Sequence, residues 1–367
     1  MMTNPIGLYI HIPFCEKKCN YCDFYSFSAD EDTKNRYIDA VLRALSEYSE
    51  KIKCKADTLY IGGGTPSLLS PAQIERIVTV ARELFLTDGA EITVEANPHS
   101  SLPEFLKAAA GAGVNRMSFG LQSSNENELA SLGRRATPKE LENAVKSAFS
   151  AGIENISADV MLGIPHQTEA SLRSTLDFAL SLGAKHISGY MLKIEKGTPF
   201  YKMRDSLSLP DEEQTASLYE TMCDILTSRN TLQYEVSNFA QKGYESRHNL
   251  KYWRDEEYLG IGAAAHSYIN GRRFYYRADI NAFLSGENPI DDGEGGSEEE
   301  YIMLKLRLCE GIDFREFEKK FSHPFDEEKK EKARFFSKKG LVNIDESHFS
   351  LTRNGFLISN SLICEFI

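Results

Sequence analysis

Three cysteines within eight residues near the start of the chain, Cys15, Cys19 and Cys22, constrain it more than any other feature. The spacing Cys-x-x-x-Cys-x-x-Cys puts three thiolates on one short loop. The other four, Cys54, Cys223, Cys309 and Cys364, are isolated, and seven is an odd number, so the pattern does not read as a disulfide framework. Clustered thiols in a reducing compartment bind metal or do redox chemistry. A [4Fe–4S] cube has four irons, so three protein ligands leave one iron open to chelate a small molecule. The competing reading is zinc, completed by His11 or a distant cysteine. Zinc knuckles carry a second cysteine pair, which this chain lacks.

The surroundings of the loop point to a barrel. Strand-like runs at Leu8–Ile12, Thr58–Ile61, Glu91–Val94, Arg116–Gly120, Ile156–Met161 and His186–Leu192 alternate with helix-like stretches. Tyr37, Val41, Leu45 and Tyr48 carry the helical period, as do Ile74, Ile77, Val78 and Ala81. Ser70 before Pro71 predicts a helix start, and Thr137 with Glu140 predicts a capping box. Six βα units with right-handed crossovers imply an α/β fold, an incomplete (β/α)6 TIM-like barrel. Each strand ends in something chemically distinctive: the cysteine loop, Gly62-Gly63-Gly64-Thr65, Glu95-Ala96-Asn97-Pro98, Gly120-Leu121-Gln122, Asp159 with Leu162–Pro165, and Tyr190–Leu192. Active sites of such barrels are built on that rim, so the pattern predicts one composite site.

At 367 residues the chain exceeds one barrel of roughly 200–250 residues. Residues 1–240 read as the barrel, with Asp211–Arg229 a helix and Tyr234–Phe239 a strand. Residues 241–296 read as an irregular connecting region ending in an acidic, glycine-rich linker, Gly286–Ser297. Residues 297–367 read as a smaller α+β, winged-helix-like domain: helix Glu298–Leu308, a charged helix over Asp326–Lys339, a hairpin at Leu341–Leu351 and a final apolar helix. Gly260-x-Gly262 fits the dinucleotide fingerprint only loosely and reads as tight backbone packing. His266 reads as satisfying a local backbone carbonyl, the alternative being that it lines a cavity. The Lys/Glu-rich helix reads as a solvated face. A net charge of −12 argues against nucleic acid. No apolar run reaches the roughly 18 residues that cross a bilayer, and no signal peptide precedes Cys15, so the expectation is a cytoplasmic protein without a transmembrane segment, peripheral membrane contact being left open.

Cys15-x-x-x-Cys19-x-x-Cys22 after a first strand resembles the signature of the radical S-adenosylmethionine (SAM) superfamily. In that family the open iron is chelated by the amino and carboxylate groups of SAM, and an electron from the reduced cluster cleaves SAM. Tyr9-Ile10-His11-Ile12-Pro13-Phe14-Cys15 and the later motifs look like the oxygen-independent coproporphyrinogen III oxidase group. The resemblance implies that Cys15, Cys19 and Cys22 hold the cluster and that Tyr9 points toward it. It places Tyr21 near the adenine and Gly63, Gly64 and Thr65 by the methionine amino group. Glu95, Gln122 and Asp159 would serve the ribose or amino group, and Arg134, or adjacent Arg135, the carboxylate.

Two departures from the oxidase weaken its chemistry: Phe24 stands where the oxidase has a further cysteine, and only fourteen residues precede Cys15. His248-Asn249-Leu250-Lys251-Tyr252-Trp253 instead matches the H-N-x-x-Y-W motif of HemW-type haem chaperones, which resemble the oxidase. That resemblance implies binding of haem, with His248 a candidate ligand, an electron donor for the cluster, and apo-haemoproteins as acceptors. It implies no coproporphyrinogen oxidase activity and no residue with a catalytic role. On the residues alone, His248 and Asn249 could equally make loop hydrogen bonds while Trp253 fills a gap. The oxidase reaction, or another radical-SAM reaction on a haem, is the competing expectation.

Overall fold

A computed structural model describes residues 4–99 and 102–367. Six strands, β1 (Ile6–Ile12), β2 (Ala56–Gly63), β3 (Leu86–Ala96), β4 (Arg116–Gln122), β5 (Asn155–Leu162) and β6 (His186–Met191), lie side by side in chain order, all parallel. Helices between them cover the outer face. On β1, Ile6, Leu8, Ile10 and Ile12 are fully buried against this layer, where helix Glu31–Lys51 supplies Tyr37, Val41 and Leu45. Ser70 caps helix Pro71–Leu84 in a reciprocal box with Gln73, and Thr137 caps Pro138–Ser150 with Glu140. Both starts lie where the cap residues predict them.

Strand register places the alternate residues on the opposite, inner face. Tyr9 pairs with Tyr60, Tyr60 with Thr93, and Thr93 with Arg116; Ser118 pairs with Ser157 and Ser157 with His186. The inner face is therefore polar along its whole length, unlike the branched aliphatic filling of an ordinary βα barrel. A polar lumen calls for something to hold or to seal.

The chain beyond β6 departs from the sequence expectations. Tyr234–Phe239 is not one strand: β7 (Leu232–Gln233) and β8 (Asn238–Ala240) form a hairpin, with β8 antiparallel to β6. Residues 241–296 are not irregular. They hold helix Arg247–Trp253, then β9 (Tyr258–Ile261), parallel to β1 and on its free side, then antiparallel β10 (His266–Ile269), β11 (Arg272–Tyr275) and β12 (Ile290–Glu294). The segment read as a linker, Gly286–Ser297, thus contains a strand of the main sheet. These strands are four or five residues long and interrupted by glycine, too short for a local period to show. The sheet has twelve strands and stays open, with β12 and β7 at its edges.

Three further strands, β13 (Ile312–Asp313), β14 (Val342–Ile344) and β15 (His348–Leu351), pair in the order β13-β15-β14 beside helices Glu298–Lys305, Phe314–Phe321 and Glu327–Ser337. Phe314, Phe317, Phe325, Phe349 and Phe366 are buried in this smaller unit. The final apolar stretch divides into two short helices, Arg353–Leu357 and Ser359–Ile363. Among the described residues no helix is long and apolar enough to cross a membrane.

Candidate functional site

The cysteine loop leaves the end of β1 and is pinned at its base by backbone alone. Cys15 N–H donates to Phe27 O at 2.9 Å, and Phe27 N–H to Pro13 O at 2.9 Å. All three thiols are free and half-buried. Cys15 Sγ lies 3.5 Å from Thr65 Oγ1, and Cys19 Sγ accepts from Arg134 Nη1 at 3.8 Å. Burial pushes the Cys22 thiol up. His11, the zinc alternative's fourth ligand, is buried with both ring nitrogens engaged, by Tyr9 OH at 3.0 Å and Tyr25 O at 3.1 Å. Among the described residues no three His, Cys, Asp or Glu side chains converge closely enough for a single metal ion. Among the described residues the donor set is three thiols with no fourth protein ligand, which fits a cube with one free iron.

The end of β2 wraps beneath this loop. Gly64 N–H donates to Ile12 O at 2.8 Å and Thr65 N–H to Phe14 O at 2.7 Å. Gly63 sits at φ 108°, and a Cβ there would come within 2.4 Å of the His11 ring. A Cβ on Gly64 would lie 2.7 Å from Phe14 O. Only glycine meets both demands, so Gly63→Ala should cost about 2–4 kcal/mol in a urea melt, from backbone strain plus displacement of His11.

Glu95, near the end of β3, accepts from Tyr60 OH at 2.8 Å and from Gly63 N–H at 3.1 Å. Burial first, and then the Asp159 carboxylate, push its pKa up to about 7. Asp159 accepts from Ser118 Oγ at 3.2 Å and is also raised by burial. Gln122 ends β4 in the left-handed region at φ 65°, buried beside Gly120. Arg134 donates through Nη2 to Gly120 O, while its Nε is enclosed without a hydrogen-bond partner. Adjacent Arg135 is exposed, which favours Arg134 of the two. Tyr21 packs against Leu132, Met161, Ile164 and Phe200, and burial raises its phenol. Loop, glycines, Glu95, Gln122, Arg134 and Asp159 thus gather at the C-terminal half of the strands. Arg116 escaped the sequence reading: it is 2% exposed, its Nε is unpartnered, and its charge lowers the pKa of both Glu95 and Asp159. The signal was a charged residue opening a strand-like run whose alternate residues Met117, Phe119 and Leu121 are apolar.

The H-N-x-x-Y-W motif lies elsewhere. It is helix Arg247–Trp253, capped by Ser246, with the Glu91 carboxylate accepting the N–H groups of Arg247 and His248 at 3.2 Å each. His248 Nδ1 bonds Thr58 Oγ1 and Nε2 bonds Tyr252 OH, both at 2.8 Å, and the ring stacks on Tyr60 at 5.4 Å. The ring is 1% exposed, and burial, then the Lys251 and Arg116 charges, push its pKa down to about 3. Both nitrogens of His248, the haem-ligand candidate of the sequence, are thus engaged here, and the motif plugs the lumen at the starts of β1–β3. Lys251 ties the plug to Pro5 O at 3.0 Å and to Asp57 and Glu256, and Arg307 lies over the Trp253 ring.

Comparison with known proteins bears on the family and the fold. The model of the radical SAM superfamily matches residues 9–179, and that of the HemN C-terminal domain matches residues 299–358. The chain is 36% identical to a protein of Bacillus subtilis named heme chaperone HemW, over 98% of each chain. It is 35% identical to the Lactococcus lactis protein of that name, over 100% of this chain and 98% of the relative. With the Escherichia coli protein of that name it shares 37% identity over 85% of each. Among solved structures it resembles coproporphyrinogen III oxidase (HemN) of E. coli, described as a radical SAM enzyme, with a TM-score of 0.84 and 23% identity. That match covers 99% of this chain and 90% of the oxidase, and it shows the fold.

Proposed function

Because the chain belongs to the HemW family of heme chaperones within the radical SAM superfamily, we propose that it binds haem and delivers it to apo-haemoproteins on a scaffold that also holds a [4Fe–4S] cluster and SAM. The observation that carries the reading is the likeness to proteins of that name along nearly the whole chain. Cys15, Cys19 and Cys22 hold the cluster. Gly63 and Gly64 let backbone approach a ligand above them, Glu95 accepts from its amino group, and Arg134 pairs with its carboxylate. Asp159 and Gln122 stand on the ribose side, and Tyr21 beside the adenine. When bound, the cluster and SAM supply one-electron reductive cleavage, for which a separate electron donor is required. Arg116 holds Glu95 and Asp159 together by offsetting their mutual repulsion in a buried setting. The helix Arg247–Trp253 keeps water from entering through the strand starts.

Phe24 is the observation that weighs against the oxidase reaction, since it occupies the place of that enzyme's further cysteine and lies 63% exposed beside the loop. Under anaerobic, reducing conditions the protein is expected to take up haem and pass it to an apo-cytochrome, leaving coproporphyrinogen III and SAM unconverted to protoporphyrinogen. Efficient conversion, read by porphyrin fluorescence after oxidation, would refute the chaperone reading.

A further inference from the structure

We propose that the protein ligand to haem iron is His266, on the inner face of the sheet beside the site, an assignment that rests on the haem-carrying reading above. The chain has eight histidines, all described, and six are engaged. His11, His186 and His248 are buried with both ring nitrogens hydrogen-bonded. His99 pairs with Glu140, His323 with Glu298 and Pro324 O, and His348 with Asp345. That leaves His166 and His266, both exposed, as the imidazoles with no hydrogen bond or ion pair. His266 has no backbone carbonyl partner, contrary to the sequence expectation, so its lone pair is free to bind a metal.

Position separates the two. His166 borders a surface cavity also lined by Glu169, Asp211 and Glu213, carboxylates that would repel the propionates of a haem. His266 opens β10 two residues before Tyr268, which pairs with Tyr258 on β9, and Tyr258 pairs with Gly7, two residues before Tyr9 on β1. Paired residues share a face, so His266 lies on the lumen side, two strands or roughly 10 Å from Tyr9. The imidazole stacks on Tyr275 at 5.1 Å and 22°, which holds one face of the ring while the residue stays exposed. Arg277, two residues past Tyr275, holds Ala264 N–H with its carbonyl and keeps its guanidinium 63% exposed, 3.7 Å from Glu287, as a partner for a propionate. A fixed imidazole, an aromatic wall and an arginine are the parts of a haem seat. The seat adjoins the cluster loop: the turn before His266 bonds Tyr37 OH through Ala263 N–H, and Tyr37 OH donates to His11 O.

The test is anaerobic titration with haemin of the wild type, His266→Ala and His166→Ala, followed by the Soret band. In His266→Ala the wild-type band should be lost and affinity should fall roughly tenfold or more, while added imidazole restores the band. His166→Ala should titrate like the wild type. Circular dichroism should be unchanged in both, since each side chain is exposed. A wild-type band and affinity in His266→Ala would overturn the assignment and leave the haem reading standing. A wild type that takes no haem would remove both.

Discussion

Replacing Cys15, Cys19 or Cys22 with alanine is expected to strip the protein of iron and sulfide while leaving it folded. Each thiol is half-buried and none carries the loop's packing, because the loop base is held by the Cys15–Phe27 and Phe27–Pro13 backbone bonds. The fold should change by about 0.5 kcal/mol or less, as for ordinary surface positions. The cluster has no such reserve: among the described residues no other metal-ligating group joins the three thiols, and His11 is engaged on both nitrogens. Iron and sulfide after anaerobic reconstitution should fall to roughly a tenth of the wild type or below. Exposed Cys364→Ala should match the wild type. Undiminished iron in any of the three loop variants would contradict the ligand set.

The second large effect falls on stability. His248→Ala removes a ring that joins Thr58 and Tyr252, leaving two buried hydroxyls unpaired and a cavity against Tyr60. The cost should be about 3–5 kcal/mol in a urea melt at neutral pH. Its pH dependence identifies the cause. The folded-state pKa is about 3 against an ordinary value near 6.5, so between those values the unfolded chain binds the extra proton. The wild type therefore loses stability as pH falls through 6.5, by up to about 1.4 kcal/mol per unit from this group, and the variant does not. The gap between them should narrow as pH falls from 7 to 5. Haem uptake by the folded variant, at a temperature where it remains native, should be retained. A gap that is constant with pH would mean that the ring is not held neutral in the lumen.

How far the sequence carries this picture depends on the range of the interactions. β1 through β6 show locally, because each has an apolar outer row, and helix starts at Ser70 and Thr137 show because a cap is a contact over three residues. The rim residues were legible for the same reason, as strand ends carrying cysteine, glycine and carboxylate. β9 was not: it joins β1 across about 250 residues, with Gly7 opposite Tyr258, and nothing in four residues announces that. Glu91 and Arg116 open two of the strand-like runs, but only the assembled sheet shows that both are buried on its polar inner face. His248 shows the limit of a motif, since the pattern marks the residue while only tertiary placement shows both nitrogens taken.

Everything about the site turns on one iron being left for a small ligand. Mössbauer spectra of the ⁵⁷Fe-reconstituted protein, recorded without oxygen before and after SAM, address it directly. The expected result is a four-iron cluster in which one iron changes its spectrum when SAM is added while the other three keep theirs. A cluster indifferent to SAM, or a protein that holds zinc in place of iron, would contradict it.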